Sequence, residues 1–256
     1  MLRAHDWLDE MLFFGGFDVA FPRHVGTLVQ PGEWALDLGA QKGWFSLLLG
    51  RAVGAGGRVL AFEPDPRAYA HCVANRDRNG MTQIVALPLA AGDEDGTIQF
   101  FLNETLGWSS RFPSADQQAQ LVREVTVRVA PVDAVLAEHR QGDSPAVSLV
   151  KIDVEGSEVR ALRGMRALLE RETPTLWLEI NRTALAAAGT SAADIESMLA
   201  PLGYRFAWPE WSDPVIGSAS LTYHPLESLN ALDRDLFDVI AYAPRYAERA
   251  HRILGW

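Results

Sequence analysis

The alternation of short apolar segments with helical segments in the first third of the chain most constrains its fold. Buried strands are predicted at residues 34–38, 58–62 and 84–88, and the segments 44–49 and 66–79 between them predict helices. Strands that are joined by helices at such short spacing lie parallel in one sheet, with helices packed on both of its faces. The sequence therefore predicts an α/β fold built on a parallel sheet.

The same pattern returns in the second half of the chain. A helix is predicted from Ser157 to about Glu172, with Val159, Leu162 and Met165 on its apolar face. Further strands are predicted at residues 97–102, 124–129, 147–152, 175–180, 204–208 and 237–242, and a further helix at 191–199.

Three segments depart from this pattern. Residues 1–30 read as an N-terminal helical extension, 97–130 as a β and loop insertion, and 209–235 as a late insertion rich in Pro, Ser and aromatic residues. No repeat or interdomain linker is recognisable, so a single domain over residues 1–256 is predicted. The amphipathic segment 1–21 suits a cover over a cofactor, a homodimer contact or plain packing on the sheet.

Composition excludes several classes of protein. Lys and Arg number 23 against 33 Asp and Glu, a net charge of −10 that disfavours a general nucleic-acid binder. The single cysteine, Cys72, excludes an intramolecular disulfide framework and a Cys-cluster zinc site. No apolar run approaches the roughly 18–20 residues of a membrane span. We therefore expect a protein of a reduced, cytoplasmic compartment whose partner is neither a nucleic acid nor a membrane.

The segment from Asp37 to Gly43 is the main candidate for a binding site. A strand delivers an acid, two glycines follow, and a helix begins, which is the edge of an open α/β sheet where ligands bind. The G-x-x-x-G spacing lacks the pyrophosphate fingerprint G-x-G-x-x-G, and Asp37 favours a cationic ligand over an anionic one. A plain Asp-Gly turn that caps a helix is the alternative.

Two further acids follow neighbouring predicted strands. Glu63 ends the second strand, where an acid can accept hydrogen bonds from both ribose hydroxyls of an adenosine. Asp93 follows the third strand and could meet the adenine amino group, although ordinary turn chemistry in Asp-Glu-Asp-Gly accounts for it equally well. Acids at adjacent strand ends beside a glycine turn indicate a nucleoside site.

These motifs resemble those of a known family. The segment from Asp37 to Gly43, with Ala61-Phe62-Glu63-Pro64, resembles the S-adenosylmethionine site of class I methyltransferases. The asparagines within 75–79, and above all Lys151-Ile152-Asp153-Val154-Glu155-Gly156-Ser157-Glu158, are similar to the FkbM-type methyltransferase family. The resemblance covers roughly residues 25–243 and departs at 17–18, where Phe-Asp replaces the Tyr-Glu of many members.

The resemblance implies a seven-stranded Rossmann-like sheet whose last strand is antiparallel. It implies S-adenosylmethionine as methyl donor, S-adenosylhomocysteine as product, and usually an O-methylated small molecule such as a natural product or sugar. It places the methionine part of the donor on the glycine turn and the ribose on Glu63. The predicted cofactor-binding residues are Asp37, Gly39, Ala40, Gln41, Gly43, Glu63, Pro64, Asp93 and Asp153.

A hydroxyl acceptor must lose its proton, to a base or with the help of a metal. The predicted catalytic residues are Asp153, Glu155, Glu179 and His224. Acids also suit a helix N-terminus, and His224 could be an ordinary surface residue. Oxygen ligands around Asp153 would suit a divalent cation, but their spacing is not diagnostic, so no metal ligand is predicted. N-methylation, nicotinamide-dependent oxidoreduction and non-catalytic binding are the alternative functions.

Overall fold

The computed structural model describes residues 20–104, 108–118, 120–212 and 220–255. Most of the predicted N-terminal extension, including Phe17 and Asp18, and part of the late insertion lie outside these residues. The strands are β1 (Trp34–Leu38), β2 (Arg58–Phe62), β3 (Ile84–Leu87), β4 (Leu89–Gly92), β5 (Gly96–Asn103), β6 (Leu121–Pro131), β7 (Val147–Ile152), β8 (Thr175–Asn181), β9 (Arg205–Ser212), β10 (Ser220–Leu226) and β11 (Leu236–Tyr242).

The helices alternate with these strands, as the sequence pattern predicts. They are α1 (Ala20–Leu28), α2 (Trp44–Val53), α3 (Pro66–Arg78), α4 (Ala115–Gln118), α5 (Val132–His139), α6 (Glu158–Gly164), α7 (Arg166–Glu172), α8 (Arg182–Ala187), α9 (Ala192–Leu199) and α10 (Ala247–Leu254). Short 3₁₀ turns occupy Ala200–Leu202 and Pro244–Tyr246. Within the described ranges, none of the helices has the length and apolar character that a membrane crossing requires.

The main sheet has the order β3-β2-β1-β7-β8-β11-β9-β10. The contacts among β3, β2, β1, β7 and β8 are parallel, whereas β11 is antiparallel to both β8 and β9. Apolar side chains are buried on both faces of the sheet, with Leu36 and Leu178 on one side and Ala35 and Trp177 on the other. The predicted mostly parallel α/β sheet with an antiparallel last strand is therefore confirmed.

The sheet contains one strand more than the family resemblance implies. The eighth strand, β10, pairs antiparallel with β9 in the segment predicted as a late insertion. Its Ser, Thr, His and Pro residues conceal the strand pattern, because strand prediction rests on alternating apolar residues. The late insertion is thus partly a hairpin at the edge of the sheet.

The predicted helix from Ser157 to Glu172 is divided at Met165 into α6 and α7. The carboxylate of Asp133 accepts hydrogen bonds from the backbone N–H groups of Ala167 and Leu168, at 2.8 and 2.9 Å. This distant side chain satisfies the first amides of a new helix, a contact that local periodicity cannot reveal.

The predicted β insertion forms a second, three-stranded sheet of order β4-β6-β5. The predicted strand over 84–88 ends at Leu87, and the chain passes through Pro88 from the main sheet into β4. Proline has no N–H group to donate to a strand ladder, which favours this change of sheet. The second sheet lies beside the carboxyl end of β2, and the two sheets together enclose the cavity described next.

Candidate active site

A cavity of about 940 Å³, including the open space at its mouth, lies between the main sheet and the small sheet. It is at the carboxyl ends of β1, β2 and β7, where open α/β sheets bind ligands. One wall is apolar and includes Ile98, Phe100 and Val129 from the small sheet. The other wall includes the predicted site residues Gly39, Ala40, Gln41, Glu63, Pro64, Asp153 and Glu155.

The turn after β1 depends on its two glycines. Gly39 has φ +86°, and a β-carbon there would lie 1.7 Å from the backbone oxygen of Asp153. Gly43 has φ +84°, and a β-carbon there would lie 2.9 Å from the sulfur of Cys72. Because any side chain at Gly39 would collide with the turn after β7, glycine is what lets the two strand ends meet. Cys72 is buried, and burial raises the pKa of its thiol to about 12.

Glu63 lies at the end of β2 with its carboxylate turned towards the glycine turn. Its Oε2 accepts a hydrogen bond from the Gln41 N–H at 2.6 Å, and its Oε1 accepts one from the Asp65 N–H at 2.8 Å. Burial raises the pKa of Glu63 to about 8, although both backbone donors act in the opposite direction. A carboxylate oxygen can accept two hydrogen bonds, so each oxygen keeps acceptor capacity for a ligand.

Asp37 is fully buried beneath the turn and is not part of the cavity wall. Ser46 Oγ donates a hydrogen bond to its Oδ2 at 2.5 Å, while Oδ1 has no hydrogen-bond partner among the residues that the structure describes. Burial raises the pKa of this carboxyl, and the Lys151 charge opposes that rise. Any effect of Asp37 on a ligand in the cavity therefore passes through its negative potential or a rearrangement of the turn.

Lys151 is a functional candidate to which the sequence assigned no role. It lies beside Asp37 in the β1–β7 register, and its Nζ donates a hydrogen bond to Asp153 Oδ2 at 2.6 Å. Burial opposes its charge, but the carboxylates of Asp153 and Asp37 raise the pKa of Lys151 above its ordinary value. Its Nζ also lies 4.2 Å from the centre of the Phe45 ring. Its role could have been predicted from the sequence, because a lysine within a near-continuous apolar strand is buried and needs a charged partner.

Three of the four predicted catalytic residues come together. Carboxylate oxygens of Asp153, Glu155 and Glu179 lie within 4.8 Å of one another, and all three residues are half-buried. Burial raises the pKa of Glu179 well above its ordinary value, and the negative charges of Asp153 and Glu155 add to that rise. Such a set of oxygens could hold a divalent cation, although acidic groups also cluster in this way without one.

His224 is not brought to this cavity. It lies on β10, where its Nε2 is 3.0 Å from Glu210 Oε2 and its ring stacks on Trp208 with 5.2 Å between ring centres. β10 is the edge strand, four strands away from β7, which at the usual strand spacing is about 19 Å. The prediction placed His224 in a loop over the site, whereas the structure places it in a strand at the edge of the sheet.

Asp93 also lies outside the cavity wall. Its carboxylate accepts a hydrogen bond from the Arg160 guanidinium at 3.2 Å, and Arg160 itself lines the cavity. Ser109 and Arg111, which follow β5 in the chain, also line the cavity but were not among the predicted site residues. No short-range pattern connects these residues to the strand ends that they meet.

The sequence model of the methyltransferase FkbM domain matches residues 37–206. The chain belongs to this family. The FkbM match begins at Asp37, the first residue of the glycine-turn motif, and extends through the carboxylate cluster into β9. The predicted family resemblance is therefore confirmed.

Two curated proteins and one crystal structure resemble the chain at 30% identity or less. The chain is 30% identical over 173 residues to the 31-O-demethyl-FK506 methyltransferase FkbM of Streptomyces tacrolimicus, across 58% of this chain and 65% of that protein. It is 28% identical over 148 residues to Methyltransferase 1 of Beauveria bassiana, across 52% of this chain and 58% of that protein. The crystal structure of methyltransferase FkbM from Methylobacillus flagellatus superposes with a TM-score of 0.52 at 17% identity, over 94% of this chain and 56% of that one. The chain thus spans less than two thirds of each of these proteins, and the structural likeness concerns the fold alone.

Proposed function

We propose that the chain is an S-adenosylmethionine-dependent methyltransferase that methylates a hydroxyl oxygen of a small molecule by direct displacement and releases S-adenosylhomocysteine. The observation that carries this proposal is the meeting of the glycine turn, Glu63, Asp153 and Glu155 around one cavity, with Glu179 next to the two last acids but not on the cavity wall. The name of the Streptomyces relative, which describes methylation at an oxygen, supports the choice of an O-acceptor. The net charge of −10 favours a small acceptor over a nucleic acid, and the single cysteine suits a reduced, cytoplasmic setting.

The residues of the cavity fit this cofactor. Because Gly39 has no side chain, the glycine turn packs directly against the turn after β7, so that Gly39 and Asp153 line the cavity together. Glu63 keeps acceptor capacity on both oxygens, which suits the two hydroxyls of a ribose. The unpartnered Oδ1 of buried Asp37 places negative potential beneath the turn, and this potential favours a cationic ligand. Gly39, Ala40, Gln41 and Gly43 would hold the methionine part, with Pro64 beside the ribose.

S-adenosylmethionine supplies, when bound, a methyl group that its sulfonium charge already activates. The chain then has to align the acceptor oxygen, exclude water and take up the hydroxyl proton. Glu179 can hold that proton, because its carboxylate lies within 4.8 Å of those of Asp153 and Glu155, which line the cavity, and its raised pKa brings it closer to that of the hydroxyl. Lys151 fixes the orientation of the neighbouring Asp153 carboxylate through its hydrogen bond.

Thermal unfolding with and without S-adenosylmethionine tests the proposal, with NADH as the control ligand. At about 100 times the dissociation constant, binding adds ~2.7 kcal/mol, which for a chain of this size raises the Tm by about 5 °C. Glu63→Ala should abolish the rise, and Glu138→Ala, at an exposed acid on α5, should leave it intact. A rise with NADH alone would favour an oxidoreductase, and no rise with either ligand would favour a non-catalytic protein.

Transfer of a labelled methyl group distinguishes the O-acceptor from an N-acceptor. Matched small molecules that differ only in carrying a hydroxyl or an amine at one position should be labelled on the hydroxyl compound. Labelling of the amine alone would replace the O-methyltransferase proposal with N-methylation on the same fold.

A further inference from the structure

Residues 108–112, which lie between β5 and β6 in the chain, form what we call the strap. Ser110 exchanges two backbone hydrogen bonds with Phe101 of β5, at 2.8 and 3.0 Å, which fixes the strap to the small sheet. Ser109 and Arg111 of the strap line the cavity. The small sheet therefore contributes directly to the wall that faces a ligand.

Ser109 belongs to a buried polar network that joins the strap to the turn after β2. Its Oγ donates a hydrogen bond to Asp65 Oδ2 at 2.9 Å and accepts one from the Asn103 N–H at 3.1 Å. Arg67 donates to both oxygens of Asp65, at 3.1 and 2.7 Å, and to the Asn103 carbonyl at 2.8 Å. Although burial opposes it, Arg67 and Ser109 lower the pKa of Asp65, so its carboxylate stays charged and held.

Asp65 passes this constraint to the cofactor site. Its backbone N–H donates the 2.8 Å hydrogen bond to Glu63 Oε1, and only Pro64 separates the two residues. The position of the Asp65 amide therefore helps to set the direction of the Glu63 carboxylate. Asp65 is only 2% exposed, so water cannot readily replace the Ser109 hydroxyl if it is removed.

We propose that Ser109 is a positioning residue for the ribose-binding carboxylate of Glu63. On this proposal the small sheet, through the strap, helps to orient a residue that binds the cofactor. The inference rests on the proposed function, since it assigns the ribose to Glu63. The path runs from the Ser109 hydroxyl through the Asp65 side chain and backbone to Glu63 Oε1. Ser109 contributes to affinity through the ribose hydroxyls rather than through the rest of the cofactor.

Calorimetric titration of the full chain with S-adenosylhomocysteine and with its 2′,3′-dideoxy analogue tests the path. Ser109→Ala should weaken binding of S-adenosylhomocysteine about tenfold and change binding of the dideoxy analogue less than twofold. Ser109→Thr keeps the hydroxyl and should restore most of the affinity. Ser110→Ala is the matched control, because Ser110 is also a buried serine of the strap but its Oγ donates to the Glu155 carbonyl, at 3.1 Å, on the opposite wall.

The outcomes separate this inference from the proposed function. Equal weakening of both ligands by Ser109→Ala, or no weakening of either, would overturn the positioning role. If Ser109→Ala does not fold, Asp65→Ala removes the acceptor of the Ser109 hydrogen bond, keeps the backbone N–H, and should show the same ribose-specific loss. Failure of the unaltered chain to bind S-adenosylhomocysteine would overturn the proposed function itself and this inference with it.

Discussion

Replacement of Lys151 by methionine removes the one cation that faces Asp37 in the β1–β7 register and bonds to Asp153. The side chain of Asp153 is 27% exposed and can turn to water, but Asp37 is fully buried and cannot. Lys151→Met should therefore force Asp37 to take up a proton at neutral pH. Methionine has nearly the volume of lysine, so the change tests charge rather than packing.

The cost follows from the ordinary pKa of an aspartate in the unfolded chain, 3.8. Keeping such a group neutral in the folded state at pH 7 costs at most about 4 kcal/mol, at ~1.4 kcal/mol for each pH unit above that value. The pKa of Asp37 is already raised with Lys151 in place, so the unaltered chain bears part of this cost and the variant adds the remainder. A further loss of up to about 4 kcal/mol lowers the Tm by up to about 8 °C in a chain of 256 residues.

The pH dependence identifies Asp37 as the group responsible. When folding raises the pKa of a carboxyl, the free energy of unfolding is lowered at every pH above the pKa of the unfolded chain. This loss disappears as the pH falls through that value, 3.8 for an aspartate. The free energies of unfolding of Lys151→Met and the unaltered chain, measured in urea, should thus differ by up to about 4 kcal/mol at pH 7 and by less than about 1 kcal/mol at pH 4. Adding Asp37→Asn to Lys151→Met should recover most of the loss at pH 7. A deficit that is equal at both pH values, or that Asp37→Asn enlarges, would refute this reasoning.

Three further predictions concern the cofactor site and a residue outside it. Ribose hydroxyls would donate to an ionised Glu63, whose pKa is raised to about 8. Affinity for S-adenosylhomocysteine should therefore rise about tenfold per pH unit from pH 6 to 8 and then level off. Calorimetry that finds the same affinity at every pH would contradict this prediction. Gly39→Ala should reduce the affinity for S-adenosylhomocysteine more than about 100-fold, since its β-carbon would meet the Asp153 carbonyl. The control is Gly189→Ala, because Gly189 has φ +71° but open space around it. This control should leave binding unchanged while lowering the stability of the fold. His224→Ala should change cofactor affinity and methyl transfer less than twofold, and a loss of tenfold or more would show that β10 takes part in the reaction.

The central strands were predictable because their sequence signals are local. Strands β1 and β2 match the predicted segments 34–38 and 58–62, since each is a short apolar run bounded by turn residues or a charged end. The break at Met165 and the strand β10 were not predictable. The first depends on the Asp133 carboxylate more than 30 residues away, and the second gains its backbone partners from β9 despite a polar sequence.

The same distinction divides the site residues. Asp153 and Glu179 could be brought together from the sequence alone, because β7 and β8 pair in register and place both residues just beyond Ile152 and Leu178. Ser109 could not, since its distance from Asp65 depends on how the small sheet folds back over β2. Residues supplied by strand ends are constrained by the ladder of hydrogen bonds, whereas those supplied by an insertion are constrained only by its tertiary contacts. Within this fold the insertion, apart from its Ser109 contact, is therefore less constrained than the strand ends. On the proposed function, acceptor choice should change more readily through residues such as Arg111 and Phe100 than through the carboxylate cluster.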